Sequence, residues 1–180
     1  PTHIKRFLST KLKPNEYLEL VNTIKSEGMY AMITPFDEPS IQLAQEHDVD
    51  IMKIASCSSN DWPLLEEICK TKKPIICSSG GLMLNEIDNV VSFLDHRKAN
   101  FAFMHCVSTY PTQNKDVNAN FISKLINRFP HLKIGYSGHE GPNNLDVIKV
   151  IVSKGARLFE RHVGVETDVI KLNKYSMNPK

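Results

Sequence analysis

Two stretches of the sequence place an imidazole and glycines directly after an apolar run. In IGYSGHEG, residues 134–141, Ser137 and His139 lie two positions apart among three glycines. In RLFERHVG, residues 157–164, His162 follows a similar run. A turn needs small or flexible residues, but it does not need a hydroxyl and an imidazole. Two imidazoles that share a divalent ion favour Mn²⁺, Fe²⁺, Co²⁺ or Zn²⁺ over Ca²⁺, so these stretches are candidates for a metal site.

Other apolar runs end in groups that suit an anion. Lys53 interrupts the run IMKIAS, where a buried ammonium group needs a polar cavity. Hydroxyls and glycine backbone N–H groups are typical ligands of phosphate and carboxylate groups. We therefore expect a phosphate or carboxylate to bind among the polar residues that follow these runs. The hydroxyl residues at the ends of these runs are Ser56, Ser58, Ser78, Ser79, Ser108, Tyr110 and Ser137.

The elements that position these residues alternate between apolar runs and helical patterns. The apolar runs are nearly continuous in hydrophobicity, which indicates parallel strands buried on both faces. They occupy residues 29–36, 50–56, 74–80, 101–108, 133–139 and 157–164. The helical patterns occupy residues 14–28, 61–73, 84–97, 118–129 and 143–155. This order predicts an α/β protein with a parallel sheet, in which the carboxyl ends of the strands share one edge.

Two architectures are compatible with six such strands, an open doubly wound sheet and a (β/α)8 TIM barrel. Six strands are two fewer than a barrel needs, but the first helical pattern, residues 14–28, has no strand before it. A barrel whose first strand, first helix and second strand are missing from this chain accounts for that order. We therefore expect residues 1–180 to form one partial TIM-barrel domain of six adjacent parallel strands.

The composition restricts the partners. A net charge of +2 does not predict a nucleic-acid partner. No apolar run approaches the ~20 residues that span a bilayer, and there is no signal-peptide pattern. The four cysteines have no CxxC spacing, which favours free thiols in a reducing cytoplasm. We expect a cytoplasmic protein with no membrane partner.

Six motifs, taken in order, resemble one known family. They are KIAS, PLLEEICKTKKPIICSSGG, HCVSTYPT, IGYSGHEG, GARLFERHVG and SMNP, and the resemblance covers residues 15–179. The family is that of the sialic acid synthases, which includes the N-acetylneuraminate and spore coat polysaccharide synthases. The resemblance implies a (β/α)8 barrel, usually followed by an antifreeze-like domain that is absent from this sequence. It also implies that phosphoenolpyruvate condenses with an N-acetyl-amino sugar or related aldose. The products are a sialic-acid-like keto acid and phosphate.

The resemblance also implies roles for individual residues. His139 and His162 match two histidines that hold a divalent metal, Mn²⁺ above all, with Mg²⁺ or Co²⁺ as alternatives. Together with Lys53 they are the expected catalytic residues. The expected substrate-binding residues are Lys53, Ser56, Ser78, Ser108, Tyr110 and Ser137. The family's catalytic glutamate and second lysine belong to the missing strands, so we expect a fragment of an enzyme that is a homodimer at full length.

Several positions depart from the family motifs, mostly on the sugar side. Ser58 replaces a sugar-binding glutamate, and Ser108 replaces an asparagine found in some members. Gly81 replaces a methionine, and Gly138 replaces an aspartate. These changes leave the acceptor sugar open. They also leave two alternatives. One is a non-catalytic barrel relative that binds a sugar or phosphate ligand. The other is a metal-dependent aldolase or hydrolase, for which Glu160 is the only strand-end candidate base.

Overall fold

The computed structural model describes residues 2–179, without the side chains of residues 2, 3, 6 and 7. Within this range lie seven α-helices, six β-strands and two short 3₁₀ helices. The α-helices are α1 (Thr2–Ser9), α2 (Pro14–Ser26), α3 (Glu38–Glu46), α4 (Trp62–Lys70), α5 (Leu84–His96), α6 (Asn120–Arg128) and α7 (Leu145–Ser153). The strands are β1 (Met32–Ile33), β2 (Ile51–Ile54), β3 (Ile75–Ser78), β4 (Phe101–Cys106), β5 (Lys133–Gly138) and β6 (Leu158–Arg161). The 3₁₀ helices, Ser56–Ser58 and Asn114–Asp116, follow β2 and β4.

All six strands lie in one parallel sheet in the order β1–β2–β3–β4–β5–β6, which confirms the predicted arrangement. The sheet curls strongly, as a contact between distant strands shows. Lys53 Nζ on β2 lies 2.5 Å from Oε2 of Glu160 on β6. In a flat sheet these strands, four positions apart, would be separated by roughly 19 Å. The sheet is therefore a half-barrel, and the open doubly wound alternative is excluded.

The two faces of the curled sheet have different environments because successive side chains of a strand point to opposite faces. On the outer face, Met52, Ile54, Cys77 and Phe103 are completely buried against the helices. Lys53 lies on the inner face, between Met52 and Ile54 in sequence. The hydrophobic core thus fills the layer between the sheet and the helices, while the concave side carries polar groups.

Short polar residues set the start of two helices. α4 begins after Asp61, whose carboxylate accepts a hydrogen bond from the Leu64 N–H. α3 begins in the same way after Asp37, which accepts a hydrogen bond from the Ser40 N–H. The sequence pattern predicts neither α3 nor α1. α3 has nine residues and buries only two of them, so its helical periodicity is weak.

None of the helices within residues 2–179 is long and apolar enough to cross a bilayer.

The four cysteines are free, as predicted, and Cys57 is the exposed one. Burial raises the pKa of the Cys77 thiol to about 12, so this thiol stays protonated and unreactive at neutral pH.

His105 on β4 is a buried histidine on the outer face of the sheet. Its Nε2–H donates to the carbonyl oxygen of Val117 at 2.8 Å, and its ring packs against Phe121 and Tyr136. Burial lowers the pKa of His105 below its ordinary value of 6.5, and the bond to Val117 opposes this only in part. The unfolded chain therefore binds a proton at a higher pH than the folded chain. It follows that the free energy of unfolding falls as the pH drops below 6.5.

We expect His105→Gln to reduce this acid sensitivity, because glutamine can still donate to Val117 but does not titrate. As the pH falls below the pKa of the unfolded chain, each histidine held neutral by the fold lowers the free energy of unfolding by up to about 1.4 kcal/mol per pH unit. The variant should lose one such contribution between about pH 6.5 and pH 5. Urea denaturation at several pH values measures the slope, and exposed His96→Gln controls for the loss of an imidazole. Identical slopes for wild type and His105→Gln would contradict the account.

Candidate active site

The carboxyl ends of β2 to β6 surround a cavity of about 700 Å³ on the concave side of the sheet. All eight residues that the family resemblance implies as catalytic or substrate-binding line this one cavity. They are Lys53, Ser56, Ser78, Ser108, Tyr110, Ser137, His139 and His162. The half-barrel therefore brings together residues that are up to 109 positions apart in the chain, from Lys53 to His162.

Serine hydroxyls from different loops meet beside Gly80. The Gly80 N–H donates to Ser56 Oγ at 2.9 Å. A Cβ at position 80 would collide with Ser108 Oγ and lie 2.7 Å from Ser56 Oγ, so a side chain here would displace both hydroxyls. Ser78 Oγ is buried and has no hydrogen-bond partner within residues 2–179. A buried hydroxyl without a partner is costly, and a bound anion would supply the acceptor that Ser78 lacks.

Lys53 is paired with a carboxylate across the cavity. Its Nζ lies 2.5 Å from Glu160 Oε2, and Ser137 Oγ donates to Glu160 Oε1 at 2.8 Å. Burial alone raises the pKa of Glu160. The charge and hydrogen bond of Lys53, together with the hydroxyl of Ser137, outweigh burial and hold that pKa below its ordinary value. Glu160 is therefore ionised at neutral pH, and its charge balances that of Lys53.

We expect Glu160→Gln to destabilise the protein and to make its stability depend on phosphate. The substitution leaves the buried Lys53 ammonium without a counter-charge. This costs about 2–3 kcal/mol, less than for a fully buried pair, because part of the Glu160 side chain is exposed. Inorganic phosphate bound beside Lys53 should restore part of the loss. Urea denaturation with and without phosphate measures both effects. Glu166→Gln, which breaks an exposed pair with Lys171, is the matched control, and equal losses in the two variants would contradict the prediction.

His139 and His162 form a pair at the ends of β5 and β6. Their ring centroids are 5.1 Å apart, and both rings line the cavity. Burial and the neighbouring His162 lower the pKa of His139 to about 4. The His139 ring is therefore neutral at physiological pH, which is the form that binds metals. Its Nδ1 is buried and has no hydrogen-bond partner in the described part of the chain.

A divalent ion held by the two imidazoles alone would keep most of its coordination positions open. In residues 2–179, no group of three or more His, Cys, Asp and Glu side chains is arranged to hold a metal. His139 and His162 could supply two nitrogen ligands, and water or substrate oxygens could complete the coordination shell. Such a shell keeps positions free for substrate, as catalytic sites require.

Two tyrosines pack around the imidazole pair. The ring centroids are 4.3 Å apart for Tyr110 and His139, and 5.0 Å apart for Tyr175 and His162. Tyr175 is not among the candidates from the sequence. It lies in an irregular segment, and the Met177 N–H, which donates to the His162 carbonyl oxygen at 2.8 Å, holds that segment beside the pair. The sequence signal for this contact is the SMNP motif, which directly follows Tyr175.

The curled parallel sheet with its outer helices and its polar cavity defines an α/β protein of half-barrel architecture, with a candidate site at the carboxyl ends of the strands. The chain belongs to the NeuB family, whose model matches residues 2–180. This membership confirms the resemblance found in the six sequence motifs.

Relatives of known name match most of the chain. Human N-acetylneuraminate-9-phosphate synthase is 32% identical over 152 residues, which cover 84% of this chain and 42% of the human protein. The crystal structure of a Chromobacterium violaceum protein assigned as spore coat polysaccharide biosynthesis protein E is 43% identical with a TM-score of 0.94. That match covers 97% of this chain and 52% of the other. N-acetylneuraminic acid synthetase from Leptospira borgpetersenii, crystallised with citrate, is 31% identical with a TM-score of 0.82, covering 87% and 54%. The chain thus spans about half the length of these relatives.

Proposed function

We propose that this chain is part of a phosphoenolpyruvate-dependent synthase of the sialic acid type. In the reaction, phosphoenolpyruvate condenses with the open-chain aldehyde of an N-acetyl-amino sugar or a related aldose. Water then adds, phosphate leaves, and a sialic-acid-like keto acid results. The observation that carries the proposal is that one cavity joins Lys53 and serine hydroxyls, which suit an anion, to the imidazoles of His139 and His162, which suit a divalent ion. The names of the relatives support the same reaction.

The anion-binding half of the cavity would hold phosphoenolpyruvate. The Lys53 ammonium has three N–H donors, so it can bind an anion while it keeps its contact with Glu160. The Ser78 hydroxyl is free to donate, since it has no protein partner within residues 2–179. The Ser56 hydroxyl already accepts from the Gly80 N–H, so its own hydrogen can point to the ligand. Together these donors offset negative charge on the phosphate and carboxylate groups.

The imidazole half of the cavity would bind the acceptor. A divalent ion held by His139 and His162 would polarise the aldehyde oxygen as a Lewis acid. The proposed ion is Mn²⁺ above all, with Mg²⁺ or Co²⁺ as alternatives. Tyr110 packs against His139 at the cavity wall, and Ser108 lines the same cavity beside Gly80. Both residues would therefore contact the acceptor. Holding the two substrates in one cavity would lower the entropic barrier to forming the carbon–carbon bond.

We infer that further strands complete the barrel in the full-length protein. Met32 of β1 and Phe159 of β6 are each 42% exposed. In a (β/α)8 barrel, neighbouring strands and helices would cover large apolar side chains at both edges of such a curled sheet. We further propose that the added strands supply the family's glutamate and second lysine. The full-length protein is proposed to be a cytoplasmic homodimer.

Phosphate release by the full-length protein tests the proposed function. With Mn²⁺, phosphoenolpyruvate and a panel of aldoses that includes N-acetylmannosamine, we expect phosphate release that requires one class of acceptor and yields a keto acid. The replacement of a sugar-binding glutamate by Ser58 favours the alternative, a non-catalytic relative that binds a sugar or phosphate. Saturable binding of phosphoenolpyruvate without phosphate release for any acceptor would support that alternative and overturn the proposed reaction.

A further inference from the structure

A buried ion pair joins the residues next to the two histidines. Glu140 directly follows His139, and Arg161 directly precedes His162. Glu140 Oε1 accepts a hydrogen bond from Arg161 Nη1 at 3.2 Å, and the Glu140 carbonyl oxygen accepts one from Arg161 Nη2 at 2.9 Å. The Glu140 side chain has no exposed surface, and that of Arg161 is 11% exposed. The pair therefore connects the carboxyl ends of β5 and β6 through two contacts.

Gly138 makes room for this ion pair. It lies opposite Arg161 in the register of β5 and β6. A Cβ at position 138 would lie 2.5 and 2.8 Å from the two carboxylate oxygens of Glu140, and 2.7 Å from the ring of Tyr136. The φ of Gly138 is not positive, so the glycine is required by space and not by backbone conformation. The Glu140 carboxylate thus occupies the volume that a side chain at position 138 would fill.

Stability alone does not account for the ion pair. Desolvation of two buried charges offsets much of their attraction, and apolar residues of the same volume are often at least as stabilising. Arg161 Nε is also buried without a hydrogen-bond partner among residues 2–179, which adds a cost. The pair does fix the ends of two strands relative to each other. Ligands of a metal site need positions accurate to about 0.5 Å, and these strand ends carry His139 and His162.

We propose that Glu140 and Arg161 form a positioning pair that sets the separation and orientation of His139 and His162 for a shared divalent ion. This inference rests on the metal site of the proposed function. Neither residue is a ligand in this arrangement, because each acts through the backbone of the adjacent histidine. Partners outside the ligand shell commonly change metal affinity by about 10–100-fold. The arrangement also explains Gly138, since the carboxylate near Arg161 comes from position 140, whereas the resembled motif carries an aspartate at position 138.

Titration calorimetry of the full-length protein with Mn²⁺ alone tests the inference, with folding of each variant checked by circular dichroism. Glu140→Ala should weaken Mn²⁺ binding by about 10–100-fold. Gly138→Asp alone should also weaken binding, because the new side chain collides with the Glu140 carboxylate. The double variant Gly138→Asp with Glu140→Ala returns a carboxylate to the same volume beside Arg161, so it should recover most of the affinity.

The possible outcomes separate the positioning role from the metal site itself. Wild-type Mn²⁺ affinity in both Glu140→Ala and Gly138→Asp would overturn the positioning role and leave the metal site intact. A wild-type protein that binds no Mn²⁺ would overturn the metal site and this inference together. If the pair had a purely structural role, the single variants would lose thermal stability, and the double variant would not recover Mn²⁺ affinity. If Glu140→Ala fails to fold, the double variant decides. Affinity near that of wild type supports the role, and an affinity still about tenfold or more weaker overturns it.

Discussion

Replacing either His139 or His162 by alanine is expected to lower the turnover number of the full-length protein by about 10²–10³-fold or more. Each substitution removes one of two imidazoles whose centroids are 5.1 Å apart. Within residues 2–179, no group of three or more His, Cys, Asp and Glu side chains is arranged to hold a metal, so the ion would depend on both imidazoles. The fold should persist, because both side chains face the cavity and not the hydrophobic core.

Phosphate-release kinetics and Mn²⁺ titration measure this effect together. His96→Ala and His131→Ala are the matched controls, because both side chains are exposed and neither lines the cavity. We expect the controls to keep wild-type turnover and Mn²⁺ affinity. Retention of Mn²⁺ affinity in both His139→Ala and His162→Ala would show that the ion binds elsewhere.

The second large effect is expected at Lys53. Lys53→Met keeps the apolar stem but removes the ammonium, so kcat/KM for phosphoenolpyruvate should fall by about 10–100-fold or more. Glu160 then loses its cation, but part of its side chain is exposed and it keeps the hydrogen bond from Ser137. The cost in stability should therefore be smaller than that of removing Glu160, which strands a charge that is almost fully buried.

Steady-state kinetics with each substrate varied in turn tests the Lys53 prediction. We expect a change in the KM of phosphoenolpyruvate that is much larger than the change in the KM of the acceptor. Lys70→Met is the matched control, because Lys70 is exposed and paired with Glu67 on the surface. If both substrates were affected equally, Lys53 would have a general structural role instead.

Much of the half-barrel and of its cavity could be predicted from the sequence because of one regularity. In a parallel sheet, polar residues that end buried runs must meet at one edge. Ser137 and His139 after one run, and Ser78 after another, are recognisable for this reason alone. The alternation of apolar runs with helical patterns likewise predicts six adjacent strands, and in the structure each run pairs with the next in chain order.

Other features depend on contacts that no local pattern encodes. The pairing of Lys53 with Glu160 requires the sheet to curl, and the curvature is a property of all six strands together. Tyr175 reaches the imidazole pair through an irregular segment without hydrophobic periodicity. Glu140 follows a histidine in a polar stretch, where a charged residue is ordinarily exposed, yet its side chain is completely buried. Its partner is Arg161, and Gly138 leaves the space for its side chain. Both relationships can be recognised only when the strands are aligned in register.

An anion and a divalent ion are proposed to bind in the same cavity. Phosphorus NMR relaxation of phosphoenolpyruvate bound to the Mn²⁺-loaded full-length protein tests this claim most directly, because paramagnetic relaxation falls steeply with distance from the ion. We predict strongly accelerated relaxation with wild-type protein, and we predict its loss in His139→Ala and in Lys53→Met. If phosphoenolpyruvate binds but relaxes as it does without Mn²⁺, or if the acceleration survives both substitutions, the claim is contradicted.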